Sequence, residues 1–158
     1  MKNRLGLNDE KLLSVEREIV NLKINLLDEY FTFNMDIFSL NYLKELHKFL
    51  FLDIYYDYQT EMVGFPTVDE KYIKYLLEGL RDTCINYPNR IENILNPIKE
   101  LWKLQPFYDG NTRTFIAYLK VLKHAFDLSI DIDLDNEIVS MPKTFTKENF
   151  VNQKRLTK

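Results

Sequence analysis

At 158 residues the chain has the length of one domain, and 46% hydrophobic with 28% charged residues is the balance of a globular protein. A net charge of -3 supplies no basic field, which excludes sequence-independent nucleic-acid binding from the expected roles. Only 4 Gly and 5 Pro leave little room for turns and favour long helices.

The opening Met1-Lys2-Asn3-Arg4 leads into a charged stretch without the apolar core of a signal peptide. No apolar run approaches the roughly 18 residues of a membrane span, and Phe49-Leu50-Phe51-Leu52 is stopped by Asp53. The lone Cys84 cannot form an intramolecular disulfide, is expected to be buried, and suits a reducing cytosol. A cytoplasmic protein with no membrane and no nucleic-acid partner is the expectation.

The first helix is expected over about residues 8–30. Asn8-Asp9-Glu10 supplies a cap and an acidic first turn, and Leu12, Val15, Ile19, Leu22, Leu26 and Leu27 recur at three- and four-residue steps. A second is expected over about 40–56, with Leu43, Leu46, Leu50 and Ile54 as its stripe and aromatics widening it. The third opens on Thr67-Val68-Asp69-Glu70, a capping-box pattern, and runs to about Asn86. Pro88 suits the first turn of a fourth helix carrying Ile91, Ile94, Leu95, Ile98, Leu101 and Trp102, with a kink expected at Pro97. The fifth begins near Asn111 and continues through Phe115, Tyr118, Leu119, Leu122 and Phe126. After Leu128 comes a tail with alternating Ile130, Ile132 and Leu134, then a short helix from about Thr146.

The chemistry is concentrated between the fourth and fifth helices. Gly110 and Asn111 tolerate left-handed backbone geometry just before a strongly periodic helix, so successive N–H groups can turn inward beside the positive end of that helix. This is a ready anion site, and a nucleotide phosphate is its natural occupant. Arg113, in the first turn, is unfavourable for the helix dipole unless an anion compensates it. Asp109 offers the hard oxygen that Mg²⁺ takes when phosphates supply its other ligands. On pattern alone the alternative is an ordinary helix–helix turn with a solvated arginine.

The segment Gln105-Pro106-Phe107-Tyr108-Asp109-Gly110-Asn111-Thr112-Arg113 resembles the Fic motif, His-Pro-Phe-x-Asp/Glu-Gly-Asn-Gly-Arg-x-x-Arg, matching six of its nine fixed positions. Upstream, the stretch from Leu43 to Tyr55 resembles the family's Leu-x-x-Ile-His-x-x-Leu-Phe-x-Asp-Ile-Tyr helix, and Phe65-Pro66 its Phe-Ala-Pro. The resemblance implies an all-α, compact Fic-type helical bundle, a single domain over residues 1–158 with its core at about 40–127, the N-terminal helix at about 8–30 and a tail at about 129–158. It implies transfer of the AMP part of ATP to a protein hydroxyl, with Mg²⁺ and ATP or another nucleotide bound. The backbone around Gly110, Asn111 and Thr112 would form the anion hole, Arg113 would contact phosphates, and Asp109 would hold the metal. Phe107 would anchor the loop in the core, and Pro106 would fix its shape. A protein target or regulatory partner is implied, and a homo-oligomer is left open.

Three departures bear on this. Gln105 stands where the family's histidine takes the proton of the attacking hydroxyl, and an amide cannot; losing a general base typically removes about 10²–10⁴ in rate. His124 lies eleven residues beyond Arg113, about 16 Å along the helix, and His47 is expected to pack or cap. Ile116 replaces the second arginine, which usually helps hold the γ-phosphate. Only residues 59–64 are left for the flap that usually receives the target segment by strand addition, so a shortened flap is expected. Thr112 with Thr114 gives the Gly-Asn-Thr-Arg-Thr variant of the motif. Thr144, Glu148 and Asn149 match the family's inhibitory pattern Ser/Thr-x-x-x-Glu-Gly/Asn, although Ile116 removes the arginine that Glu148 would pair with; Ser14 and Glu18 share the spacing but are followed by Ile19.

The expected function is a degenerate Fic-domain protein that keeps a nucleotide-phosphate and Mg²⁺ loop, transfers AMP weakly or not at all, and acts as a regulatory or interaction module. The alternative is an active nucleotidyl- or phosphotransferase, acting on a protein hydroxyl or a small molecule, whose base is supplied otherwise. A third reading treats the loop as a fossil and makes the aromatic stretch 30–58 the working surface, against the expectation that these rings are core.

Overall fold

The helical periodicity is realised in five helices among the described residues, which in this computed structural model are 2–27, 35–56, 70–107 and 109–140. They are α1 (Asp9–Asn25), α2 (Leu40–Phe51), α3 (Glu70–Asn86), α4 (Ile91–Lys103) and α5 (Asn111–Phe126). The fold class is all-α, with one antiparallel hairpin appended: β1 (Asp131–Asp133) pairs with β2 (Ile138–Ser140), Ile132 opposite Val139.

Local chemistry sets the starts. Asn8 caps α1 by accepting from the Lys11 N–H at 2.9 Å, and the Ser39 hydroxyl caps α2 by accepting from the Tyr42 N–H at 3.1 Å. Pro88 lies ahead of α4 rather than in its first turn. It follows Tyr87 in a tight turn closed by the Arg90 N–H on the Tyr87 carbonyl at 3.0 Å, a position for which its fixed φ is suited. Helix α4 runs through Pro97.

At the centre stands α5, buried from Asn111 and from Arg113 through Leu119, and again at Leu122; a helix enclosed on nearly all sides belongs in the middle of a core. Against it pack Leu43, Leu46, Leu50 and Ile54, all fully buried, on and just beyond α2. The aromatics Phe38, Tyr42, Phe51 and Tyr55 are buried as well, Phe49 is half-buried and Tyr56 is exposed, so the described part of that stretch presents one exposed ring rather than an aromatic patch. Cys84 is buried on α3, and its thiol is pushed up to about 12 by burial. No helix among the described residues is long and apolar enough to cross a membrane.

The α1 stripe differs from the expected one. Its buried apolar positions are Leu12, Val20 and Ile24, while Leu22 is exposed and Val15 and Ile19 are half-buried. The four-residue steps from Leu12 to Ile24 pass through Glu16, so a carboxylate occupies an inward position of this helix.

Candidate functional site

Leaving α4, the chain must reverse within a few residues to begin α5. It does so through two left-handed residues, Gln105 at φ 48° and Gly110 at φ 78°. Gly110 is required twice over. Besides its backbone conformation, a Cβ there would lie 2.4 Å from Phe51 Cζ and 2.5 Å from Cε2, inside the core.

Between these residues the loop is fixed by side chains. Asn111, buried at the start of α5, accepts from the Phe107 N–H at 3.0 Å and donates to the Phe107 carbonyl at 3.1 Å and to Gln105 Oε1 at 3.2 Å. Gln105 in turn donates through Nε2 to the Trp102 carbonyl at 2.8 Å, and its backbone N–H reaches the same oxygen at 3.0 Å. Its amide thus ties α4 to α5, using both its donor and its acceptor. Pro106 and Phe107 are buried, the latter stacked on His47 with ring centroids 4.0 Å apart and planes 1° from parallel. His47 Nε2 lies 2.7 Å from the Asp109 carbonyl. A carbonyl can only accept, so Nε2 carries the proton. The buried histidine of α2 therefore clamps the outer limb of the loop.

The far side of the loop faces a cavity of about 710 Å³, a size suited to a nucleotide-sized ligand. Its walls are Gln105, Asp109, Gly110, Asn111, Thr112 and Arg113, with Glu16 and Arg17 of α1 and Glu137 of the hairpin. Five of the expected site residues, Asp109 through Arg113, thus meet in one place with Gln105. The first turn of α5 has no side-chain cap, and the N–H groups of Asn111 and Arg113 have no acceptor among the described residues. Thr112 accepts at its hydroxyl from the Trp102 indole N–H at 3.2 Å. Thr114 turns its hydroxyl back to the Gly110 carbonyl at 2.8 Å, away from the cavity mouth.

Arg113 is not the solvated arginine of the simple-turn reading. It is 7% exposed, donating through Nη1 to Asn21 of α1 and through Nη2 to Glu137 Oε1 at 2.9 Å. Glu16, half-buried, accepts from the Tyr55 hydroxyl. Its carboxyl is held above the usual range, chiefly by burial and further by the charges of Asp109 and Glu137, against the lowering influence of the Tyr55 bond and Arg113. Burial and Glu16 likewise push the Tyr55 hydroxyl up.

Ile116 is fully buried in the core, so the helix position that follows Arg113 by three residues faces away from solvent. His124 is exposed at the opposite end of α5, beside a separate cavity with Lys120 and Lys123. Thr144, Glu148 and Asn149, the flap 59–64, Phe65-Pro66, Thr67-Val68-Asp69 and Tyr108 lie outside the described residues.

Four participants were not expected from the sequence: Glu16, Arg17, Asn21 and Glu137. A signal existed for the first, a charged residue on the inward four-residue spacing of α1; Asn21 and Glu137 join the site only through long-range packing.

The donor set fits a metal brought in with phosphates. Among the described residues no group of three His, Cys, Asp or Glu side chains could hold an ion by itself. Asp109 uses Oδ1 to accept from the Gly110 N–H at 2.8 Å, and its other oxygen has no partner among the described residues. One carboxylate oxygen beside open helix N–H groups suits Mg²⁺, which keeps waters and phosphate oxygens as its remaining ligands.

Comparison with curated proteins finds no match. The family model described as the Fic/DOC family matches residues 37–122, from just before α2 into the last turns of α5 and across the whole loop. With more than half of its 158 residues inside that match, the chain belongs to the Fic/DOC family.

Proposed function

We propose that this chain is a nucleotide-phosphate-binding module of the Fic/DOC family in which AMP transfer is weak or absent. Membership carries the broad expectation of nucleotidyl or phosphoryl transfer. The observation that turns the reading towards binding is Gln105: its amide is committed to the Trp102 carbonyl and to Asn111, and it has no basic atom to accept a proton. In support of retained binding stand the open first turn of α5, the uncommitted oxygen of Asp109 and the cavity they share. On this reading Asp109 would hold Mg²⁺, which supplies charge neutralisation to the phosphates, while the Asn111 and Arg113 N–H groups orient them. The proposal extends to a single Fic-like domain over 1–158, a cytoplasmic setting and a regulatory or protein partner.

Calorimetric titration with ATP and ADP, each with and without Mg²⁺, tests it. Micromolar-to-millimolar binding that needs Mg²⁺ and is lost in Asp109→Ala is expected; no heat at millimolar nucleotide overturns it. Labelled ATP incubated with cell lysate and wild type or Gln105→His tests the loss of transfer. Labelling by wild type at a level the substitution does not raise would refute the reading.

One observation favours the alternative of a working transferase. Glu16 opens on the same cavity as Gln105 and Asp109, its carboxyl is raised by burial, and it offers there the basic oxygen that Gln105 lacks. It would take the proton of a hydroxyl as that oxygen bonds to the α-phosphorus and pyrophosphate leaves. Transfer by wild type that disappears in Glu16→Gln, with nucleotide affinity unchanged, decides for it.

A further inference from the structure

The last turns of α5 carry Lys120, Lys123 and His124 at three- and four-residue steps, hence on one face of the helix. They line a cavity of about 380 Å³ that shares no residue with the one at the motif loop. Cations at a helix C-terminus ordinarily answer the carbonyls of their own last turn. Here the chain closes that end with its own backbone: Asp127 stands in the left-handed region at φ 53°, and the N–H groups of Asp127 and Leu128 both donate to the Lys123 carbonyl.

The two ammonium groups turn elsewhere. Lys120 Nζ donates to the Ile24 carbonyl at 3.1 Å and meets Asn25 Oδ1 at 3.5 Å, at the end of α1. Lys123 Nζ donates to the Ile130 carbonyl at 2.6 Å, just ahead of β1. These acceptors are all neutral, and neither lysine has a carboxylate partner among the described residues. An ammonium has three N–H donors, so each keeps at least one to offer a ligand. Both side chains are half-buried, where water answers a charge less fully than on an open surface.

The lining changes character across the cavity. Ile132 of β1 and Leu134 just beyond it, both half-buried, supply an aliphatic wall. Asp127 is the carboxylate among the lining residues, so with His124 neutral the two lysines leave one positive charge in excess, in a chain whose net charge is -3. Spare N–H donors, a single excess charge and an aliphatic wall together match a singly charged anion on a short apolar body. The volume lies towards the lower end of the roughly 300–1,000 Å³ of small-molecule sites.

We propose that this cavity is a second ligand site, taking a small aliphatic carboxylate whose head lies between the Lys120 and Lys123 ammonium groups and whose chain lies on Ile132 and Leu134. An occupant joins the ends of α1 and α5 to the hairpin. Inorganic phosphate is the poorer ligand, because it brings more charge than the lining balances and leaves the aliphatic wall in water.

Calorimetric titration of the full chain with acetate, butyrate and hexanoate at fixed ionic strength, beside inorganic phosphate, tests this. Affinity is expected to rise about 4-fold per methylene, the factor that burying a CH₂ supplies, with hexanoate bound at about 1 mM or tighter. Lys123→Gln, which keeps an N–H for the Ile130 carbonyl, is expected to weaken hexanoate about 10-fold. Should that variant unfold, the amide chemical shifts of wild type carry the test: hexanoate is expected to move Lys120–His124 and Ile132–Leu134 and to leave Asp109–Arg113 in place. Several results would each overturn the site: no hexanoate binding at tens of millimolar, equal affinity for acetate and hexanoate, or phosphate bound more tightly than hexanoate. Unchanged affinity in a folded Lys123→Gln, or shifts centred on the motif loop, would do the same.

Discussion

Replacing Gly110 by alanine puts two independent strains on the loop. The residue sits at φ 78°, where an L side chain costs roughly 1–2 kcal/mol. The new methyl would also lie 2.4 Å from Phe51 Cζ, well inside van der Waals contact. Phe51 cannot swing clear, because it is 1% exposed and packed against His47 with ring centroids 4.9 Å apart. Overpacking of this kind typically costs about 1–3 kcal/mol. Together these give a loss of roughly 2–5 kcal/mol, or about 5–20 °C in Tm for a protein of this size. Urea and thermal unfolding of Gly110→Ala measure it. A double variant with Phe51→Leu, which shortens the opposing side chain, should lose less than the sum of the two single costs. A Gly110→Ala protein within about 0.5 kcal/mol of wild type would refute the steric argument, and strictly additive costs would show that the ring is not what the methyl meets.

Asn111→Ala removes three hydrogen bonds and leaves the Phe107 N–H and carbonyl unpaired in a buried place; a loss of about 2–4 kcal/mol in denaturant unfolding is expected. Glu16→Gln keeps an acceptor for the Tyr55 hydroxyl while removing a carboxylate whose folded-state pKa is raised. A raised carboxyl favours folding below its unfolded pKa and loses that contribution as pH climbs through the folded value, so the substitution should raise Tm at pH 7 and the gain should shrink towards pH 4. An equal gain at both pH values would contradict this. Cys84, its thiol pushed up to about 12, should resist maleimide at pH 8 until the protein is unfolded. The same burial makes its contribution to stability fade as pH rises above the ordinary thiol value towards 12.

Much of this molecule could be read from local pattern because its centre is helical and strongly periodic. The α2 stripe from Leu43 to Ile54 and the start of α5 at Asn111 lie where the spacing puts them. The loop was legible in part: Gly110 is left-handed as its residue type suggests, whereas Asn111 is the first helical residue of α5, and the second left-handed residue is Gln105, whose type announces nothing. Periodicity failed on α1, where leucines fall on both faces. Leu13 and Leu22 are exposed, and the inward face is the one that carries Glu16. The three-residue strands are too short for alternation to separate from an irregular tail, so the hairpin and Glu137 with it escaped notice. Arg113 illustrates the same limit at one side chain. Its place in the first turn of α5 is local information, whereas its partners stand 92 and 24 residues away in sequence and could be found only in the folded chain.

The cavity is assembled at a seam. The motif loop lies inside the family-matched span 37–122, but Glu16, Arg17 and Asn21 precede that span and Glu137 follows it. A fragment cut to the shared span would strip Arg113 of both hydrogen-bond partners, leaving a cation on the flank of the central helix with only solvent to receive it. The residues that hold the loop's shape, His47, Gln105 and Asn111, lie inside that span, and those that balance the charge of Arg113 lie outside it. Shape and selectivity are thus written in different segments of this chain, and the second can be re-engineered in α1 or the hairpin without touching a residue of the first.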